Sequence, residues 1–404
     1  MDHLRTITRR LKLNQSYFYP GEKMHIIQYS KRSLSAALSM VLAGAMPAAA
    51  QSVDFNASIW LPESHPLARY SYVEWLPRLE EASGGSLNPT LFTGPVLLPP
   101  DTTLSGLRDG IAQVAFHAGT YTPSDLPEDN VLAQLAFNYS DHLLAGIAIT
   151  EANMTIPALQ DQWRRNGIVF LGGYATLPYN LVCSSPVNGP EDLQGLRIRV
   201  PGAAHSDWAN SVGAVTVNVP SSEMYAGLDR GQLDCAAVPA NDLQSRSLWE
   251  VAKYVNMVDL GVYWAGFMQG ANRDFWHSLT DAQRQAFFDT IPQALVEQAN
   301  DYSNSLSAAL EASLEHDVEI IEPSAEMLDA ISDFGPSVVE GAIALAADEF
   351  DVSDPEALIA AVVEIFEKWE GLLATVDRND PEAIITLIGE QIYANIDAST
   401  YAMD

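Results

Sequence analysis

Two separated stretches of this chain repeat one local pattern, and the repeat constrains the fold more than any other feature. Gly106-Leu107-Arg108-Asp109-Gly110-Ile111-Ala112-Gln113-Val114-Ala115-Phe116 is similar to Gly227-Leu228-Asp229-Arg230-Gly231-Gln232-Leu233-Asp234-Cys235-Ala236-Ala237. Each runs from a helix end, through a glycine able to take positive φ, into a short apolar strand. A chain that uses this unit twice is expected to hold two similar α/β lobes. A cleft between such lobes is a usual place for a small ligand.

The flanking sequence extends the same grammar. Val53 to Trp60 reads as a buried strand, followed by a proline-containing loop and a helix with Tyr72, Trp75, Leu76 and Leu79 on one face. Gly84-Gly85 ends that helix before a second strand from Leu87 to Phe92, a strand, helix, strand unit of the kind that builds a parallel sheet. Further strands are expected at 167–171, 181–186, 196–200 and 215–219, with helices between them. From Thr280 onward the pattern changes to long amphipathic helices, with a kink expected at Pro292. A strand at Val318 to Ile321 is expected to return to the second lobe, and Asp354-Pro355 and Asp380-Pro381 mark two C-terminal helices packed on the outside. The divisions that follow are 51–174 for lobe I, 175–263 for lobe II, 264–306 for a return to lobe I with a spanning helix, and 307–404 for the lobe II strand and the C-terminal helices.

Composition excludes several partners. The chain has 404 residues, 48% of them hydrophobic, enough apolar material for two lobes. Its 21 Lys and Arg face 52 Asp and Glu, a net charge of −31, and a field of that sign repels phosphodiester backbones. Nucleic acid is therefore not an expected partner. Such acidity suits a protein kept soluble in salty water.

The N-terminus reads as an export signal. Lys31 and Arg32 precede an apolar stretch from Leu34 to Leu42, and Ala48-Ala49-Ala50 offers small residues for cleavage. Residues 1–50 are taken as a signal peptide that starts at Met24, preceded by a mis-called start, and the product is expected in the periplasm without direct insertion into the membrane. Cys183 and Cys235 both sit in strand-like runs. In an oxidising compartment they admit two readings, a disulfide between neighbouring strands or two buried thiols.

Catalytic motifs are absent. The sequence contains no Gly-x-Ser-x-Gly elbow, phosphate loop, dinucleotide fingerprint or His-Glu-x-x-His. The six histidines beyond residue 50 have no metal-ligand spacing, so neither a metal nor a cofactor is expected. Anion binding has better support. In Gly195-Leu196-Arg197-Ile198-Arg199-Val200-Pro201, strand alternation sends Leu196, Ile198 and Val200 to one face and both arginines to the other. An arginine near the end of a parallel strand can point into a cleft, where its planar fork meets a carboxylate in two hydrogen bonds. The alternative is an arginine paired with one of the chain's many acids.

Around these residues the chain resembles a known family. The run Pro190-Glu191-Asp192-Leu193-Gln194-Gly195-Leu196-Arg197-Ile198-Arg199-Val200-Pro201, then Gly213-Ala214, then Pro220 to Asp234, is similar to the signature of the dicarboxylate-receptor-like solute-binding proteins of tripartite ATP-independent periplasmic (TRAP) transporters. The resemblance implies a two-lobed periplasmic-binding-protein-like α/β fold with a long helix spanning both lobes and extra C-terminal helices. It implies a monomeric receptor that is not an enzyme, closes on an organic acid and delivers it to the membrane permease subunits. It also implies that Arg199 grips the carboxylate and that Glu223 lies near the cleft; as a helix N-terminal acid, Glu223 has a structural reading too.

The chain departs from the family pattern after Asp234, where Val238 stands in place of an Asn found in many sialate and dicarboxylate binders. A valine side chain donates no hydrogen bond, so an apolar or aromatic monocarboxylate is expected. Aromatic residues at strand ends, Trp60, Tyr121, Tyr174, Tyr179 and Trp264, are candidates to wall the ligand, each with an alternative place in the core. The rival readings are a periplasmic hydrolase or lyase using cleft carboxylates such as Glu63 or Glu223, and a ligand-sensing module.

Overall fold

The computed structural model describes residues 52–404, so the expected signal peptide lies outside the described residues. In chain order the strands are β1 (Val53–Ile59), β2 (Leu87–Thr93), β3 (Val114–Ala118), β4 (Ile168–Gly172), β5 (Asn180–Cys183), β6 (Arg197–Val200), β7 (Val215–Asn218), β8 (Cys235–Val238), β9 (Tyr254–Asn256), β10 (Gly266–Asn272) and β11 (Glu319–Ile321). They form two sheets, ordered β2-β1-β3-β10-β4 and β11-β9-β5-β8-β6-β7.

The sheets are copies of one plan. In the first, β1 pairs in parallel with β2 and β3, and β10 runs antiparallel between β3 and β4. In the second, β6 pairs in parallel with β7 and β8, and β5 runs antiparallel between β8 and β9. The sequence repeat falls on equivalent places. Helix Thr103–Arg108, Gly110 at φ +75° and β3 correspond to helix Met224–Asp229, Gly231 at φ +62° and β8. Both glycines hold a left-handed conformation that a Cβ would strain.

The antiparallel strand of each sheet is delivered from the other. Residues 173–179 lead from β4 to β5, and residues 257–265 lead from β9 to β10. These crossings are laced together: Thr176 N–H donates to Tyr263 O at 2.9 Å, Tyr179 N–H to Gly261 O at 2.8 Å, and Leu260 N–H to Tyr179 O at 3.0 Å.

A third link is the helix Asp281–Ser313, opened by a capping box between Thr280 and Gln283 and continuous through Pro292, where the ring forfeits one backbone bond. Its first part is anchored on lobe I, where Trp75 Nε1–H donates to Thr290 Oγ1 at 2.9 Å and Ser71 Oγ–H to Gln298 Oε1 at 3.0 Å. Its last turns pack Leu306 and Leu310 on the lobe II core. The chain then adds β11 to the second sheet beside β9. The C-terminal helices Pro355–Leu373 and Pro381–Gln391 return to lobe I, where Lys368 pairs with Glu151 at 2.7 Å and Tyr393 and Tyr401 donate to the carbonyls of Leu171 and Phe170 in β4.

Cys183 and Cys235 are directly opposed on antiparallel β5 and β8, and their sulfurs are bonded. The pair ties a crossing strand to the central strand of lobe II. Replacing both with alanine is expected to lower unfolding stability by ~4 kcal/mol in the chain-entropy account, read by denaturant titration.

Asp129, on helix Pro127–Ala133, is buried and accepts the Gly266 N–H at 2.7 Å, where the second crossing enters β10. Burial pushes its carboxyl up to about 7, against the hydrogen bond from Gly266. The folded state therefore keeps a proton that the unfolded chain releases nearer pH 4. This contribution is complete below that pH and is lost as pH rises through about 7. Asp129→Asn is expected to gain stability relative to the parent by about 4 kcal/mol between pH 4 and pH 8. Chemical denaturation of both proteins across that range measures the difference; parallel pH profiles would contradict the assignment.

Candidate functional site

Arg199 and Arg197 sit on the same face of β6, and their surroundings separate them. Arg197, nearer the start of the strand, is clamped by Asp234, with Nη2 2.7 Å from Oδ1 and Nε 2.9 Å from Oδ2. Arg199, two residues closer to the C-terminal end, is 1% exposed and has no carboxylate within ion-pair distance among the described residues. Its Nε–H donates to Val219 O at 3.0 Å, Nη1–H to Ala237 O at 3.2 Å and Nη2–H to the Tyr121 hydroxyl at 3.2 Å. Three of its five N–H groups are used, and one on each Nη has no protein acceptor among the described residues. A buried guanidinium solvated by neutral dipoles keeps its full charge, so an anion placed beside it gains more than it would in water.

Tyr121 connects this charge to the other lobe. It ends the turn Gly119–Tyr121 after β3, and its hydroxyl oxygen also accepts the Ser221 N–H at 3.0 Å. Two donors of lobe II thus converge on one oxygen supplied by lobe I. A small cavity of about 30 Å³ between the lobes is bounded here by Tyr121, Ser221 and Val238. Arg199 does not face an open chamber, as the strand pattern suggested; it lies one layer behind the lining, reached through the Tyr121 hydroxyl.

Aromatic rings form the walls. Trp60 and Phe116 lie 5.2 Å apart by ring centroids, Phe116 and Tyr174 5.2 Å, and Tyr179 stacks on Tyr263 at 6.0 Å. Tyr174 and Tyr263 spend their hydroxyls on Ala265 O and Thr120 Oγ1, so the rings rather than the polar tips are offered to the cavity. Tyr179 and Tyr302 line it with hydroxyls that have no protein partner among the described residues.

A second charged cluster closes the cavity elsewhere. Asp242 opens the short helix Asp242–Ser245 just after β8, and its carboxylate accepts from Arg246 Nε–H at 2.7 Å and Ser245 Oγ–H at 2.6 Å. From lobe I, His65 Nε2 approaches Asp242 Oδ1 at 3.5 Å, and Trp60 lies 6.0 Å beneath the Arg246 guanidinium. The His65 Nδ1 accepts the Leu67 N–H at 3.2 Å, which fixes the proton on Nε2. Burial lowers the His65 pKa against the pull of Asp242, leaving a neutral ring. Burial alone would raise the Asp242 pKa, but the Arg246 charge and the hydrogen bonds outweigh it and hold the carboxyl below its usual range.

Of the residues expected from sequence, Trp60, Tyr121, Tyr174, Tyr179 and Val238 line this cavity. Trp264 does not: its ring packs between Tyr139 and Phe366 of a C-terminal helix, with centroids at 5.6 and 5.2 Å, because the crossing turns it outward into the lobe I core. Glu223 does not either; it is exposed in the turn Ser221–Glu223 ahead of helix Met224–Asp229, where a helix N-terminus favours an acid. Glu63 is likewise exposed and accepts from Thr93 Oγ1 at 3.3 Å. The sequence reading missed Phe116, Asp242, Arg246, Tyr263 and Tyr302. Asp242 and Arg246 had a signal, an i, i+4 pair just past the end of a strand; Tyr302, inside the long helix, had none.

A larger groove of about 570 Å³ lies on the outer face of lobe I under the last residues of the chain. Its lining sets Arg164 and Arg273 against Asp397 and Asp404, and Arg164 is paired with Asp161 and Asp404, so the groove offers no excess of positive charge. Among the described residues no group of three His, Cys, Asp or Glu side chains is gathered to hold a metal.

Comparison with known proteins fits this geometry. Residues 57–342 match the family model DctP, described as bacterial extracellular solute-binding protein, family 7. The chain is 25% identical over 237 residues, 58% of its length, to the ectoine-binding periplasmic protein TeaA of Halomonas elongata. It spans between about half and two thirds of the length of the first curated relatives it matches, 55% and 64%. Two solved structures share the fold. A TRAP periplasmic solute-binding protein from Bordetella bronchiseptica with bound (R)- and (S)-mandelate aligns with a TM-score of 0.67 and 23% identity, covering 78% of this chain and 99% of that one. A TRAP solute-binding protein from Rhodoferax ferrireducens in complex with copurified benzoate aligns with a TM-score of 0.70 and 17% identity, covering 80% and 99%. Because the family model takes in most of the chain and strands of both sheets, the chain belongs to the bacterial extracellular solute-binding proteins of family 7.

Proposed function

We propose that this protein is the extracytoplasmic receptor of a TRAP transporter, closing its two lobes on a small organic acid and delivering it to the membrane permease. The observation that carries this reading is Arg199, a buried guanidinium that among the described residues has two N–H groups unspoken for and no acidic partner. A ligand carboxylate supplies the missing charge. The surrounding rings of Trp60, Phe116, Tyr174 and Tyr179 suit a flat or apolar body behind that head group, in keeping with the mandelate and benzoate held by two proteins of the same fold.

The cavity, at about 30 Å³, has room for roughly two or three water molecules and none for an organic acid, so a ligand enters by separation of the lobes. The hydrogen-bonded crossings at 173–179 and 257–265 provide the hinge, with the long helix as the third link. Entry moves the Tyr121 oxygen off Arg199 or adds a carboxylate beside it; closure then strengthens the new pair by excluding water. Both lobes come from one chain, so a monomer suffices. The reading of a hydrolase or lyase has little support, since Glu63 and Glu223 are exposed and the carboxylate that lines the cavity, Asp242, is locked against Arg246.

Isothermal titration of organic acids tests the reading. Binding of mandelate or benzoate is expected with 1:1 stoichiometry, and Arg199→Ala should weaken it by about 3 kcal/mol or more, roughly a hundredfold. Arg199→Lys should fall between the two, keeping the charge and losing the fork. Retention of acid binding by Arg199→Ala would remove the basis of the proposal.

A further inference from the structure

We propose that Asp242, fixed between Arg246 and His65, is the specificity-determining residue that restricts the cleft to acids bearing a single negative charge. This rests on the reading that Arg199 takes the ligand carboxylate.

The inference follows from a charge count over the groups that line the cavity and the one directly behind the lining. Arg199, behind the Tyr121 hydroxyl, and Arg246, on the lining, are cations; Asp242 is the carboxylate; His65 is neutral because its Nδ1 accepts the Leu67 N–H inside a buried site. The remaining lining is aromatic, aliphatic or hydroxylic. The closed cleft therefore carries one unit of positive charge in excess, located at Arg199. One carboxylate neutralises it. A second would leave a buried negative charge, which burial penalises strongly unless a partner is free.

Arg246 has Nη groups without a protein acceptor among the described residues, but it brings no net charge to such a pairing. Its Nε is bound to Asp242 at 2.7 Å, and its charge is balanced there. A second ligand carboxylate reaching Arg246 would also meet Asp242, a like charge in a dry site. The cluster is a clasp as well as a filter, because His65 and Trp60 come from lobe I while Asp242 and Arg246 come from lobe II. The unfavourable contact is thus assembled on closure, and a dianion would hold the lobes apart. Specificity by a built-in repulsion of this kind discriminates without adding any contact to the accepted ligand.

The test is calorimetric titration of the mature chain with matched pairs of acids, benzoate against isophthalate and butyrate against succinate. The parent protein should prefer the monoacid of a pair by about a hundredfold. Asp242→Asn, which leaves the Arg246 charge uncompensated, should strengthen both acids and the diacid the more, so that the preference for the monoacid falls by about tenfold or more. Arg246→Gln, which leaves Asp242 uncompensated, should weaken the monoacid by about tenfold, and the double variant Asp242→Asn/Arg246→Gln should recover it, a restoration that a purely structural role would not produce. If Asp242→Asn does not fold by circular dichroism, Arg246→Gln and the double variant decide the matter alone.

Three results overturn the proposal: a parent that binds diacids as tightly as monoacids, a parent that binds no monoacid at all, or a ratio that Asp242→Asn leaves unchanged. Monoacid binding that survives Arg199→Ala is a different failure, that of the carboxylate site itself.

Discussion

A guanidinium held indoors with no acid beside it organises this molecule. The chain has few cations beyond its first fifty residues and a large excess of carboxylates, so leaving one arginine unpaired in the interior is not the result of scarcity. Arg197, two residues away on the same strand face, shows what the default looks like: a bidentate clasp with Asp234 at the lobe edge. At Arg199 the same side chain meets, among the described residues, only carbonyl oxygens and a tyrosine hydroxyl as hydrogen-bond acceptors. Dipoles of this sort solvate a charge without cancelling it. On the proposed reading, a preference for anions would be present before any ligand arrives, in the way the end of β6 is packed.

On the proposed reading, movement of the two lobes would expose that charge. Tyr121 and His65 project from one lobe onto Arg199 and Asp242 of the other, so part of the interface between lobes is made by groups at the cavity, while Phe137 against His205 and Trp208 makes another part away from it. Opening and binding would thus share the contacts at the cavity. The crossings keep their own backbone bonds, which confines the change to a narrow band of chain while the sheets and cores on either side persist.

Much of this plan was legible in the sequence because it depends on local chemistry. The glycine that follows each repeated helix must take a left-handed conformation, and the apolar run after it must be a strand; Gly110 and Gly231 did both. The alternation around Arg199 located it on its strand but could not say what stood in front of it, because Tyr121 is brought there by long-range packing. Trp264 and Tyr302 show the same limit from opposite sides. Both are aromatic residues in apolar surroundings, and only the path of the second crossing and the tilt of the long helix decide that one enters the core and the other the cavity. Asp242 and Arg246 were visible as an i, i+4 pair, yet in so acidic a chain such pairs carry little information until the strand end beside them is known.

The exchange of antiparallel strands also sets a timetable for assembly. β10 lies between β3 and β4, so the first sheet stays split until the chain has been delivered through Asn272, after nearly all of the second sheet. Neither half can mature as an independent nascent unit. A chain that emerges from a translocation pore amino end first must therefore wait, loosely collapsed, for late residues to stitch its early ones, and a cut within either crossing would orphan a central strand rather than release a finished lobe.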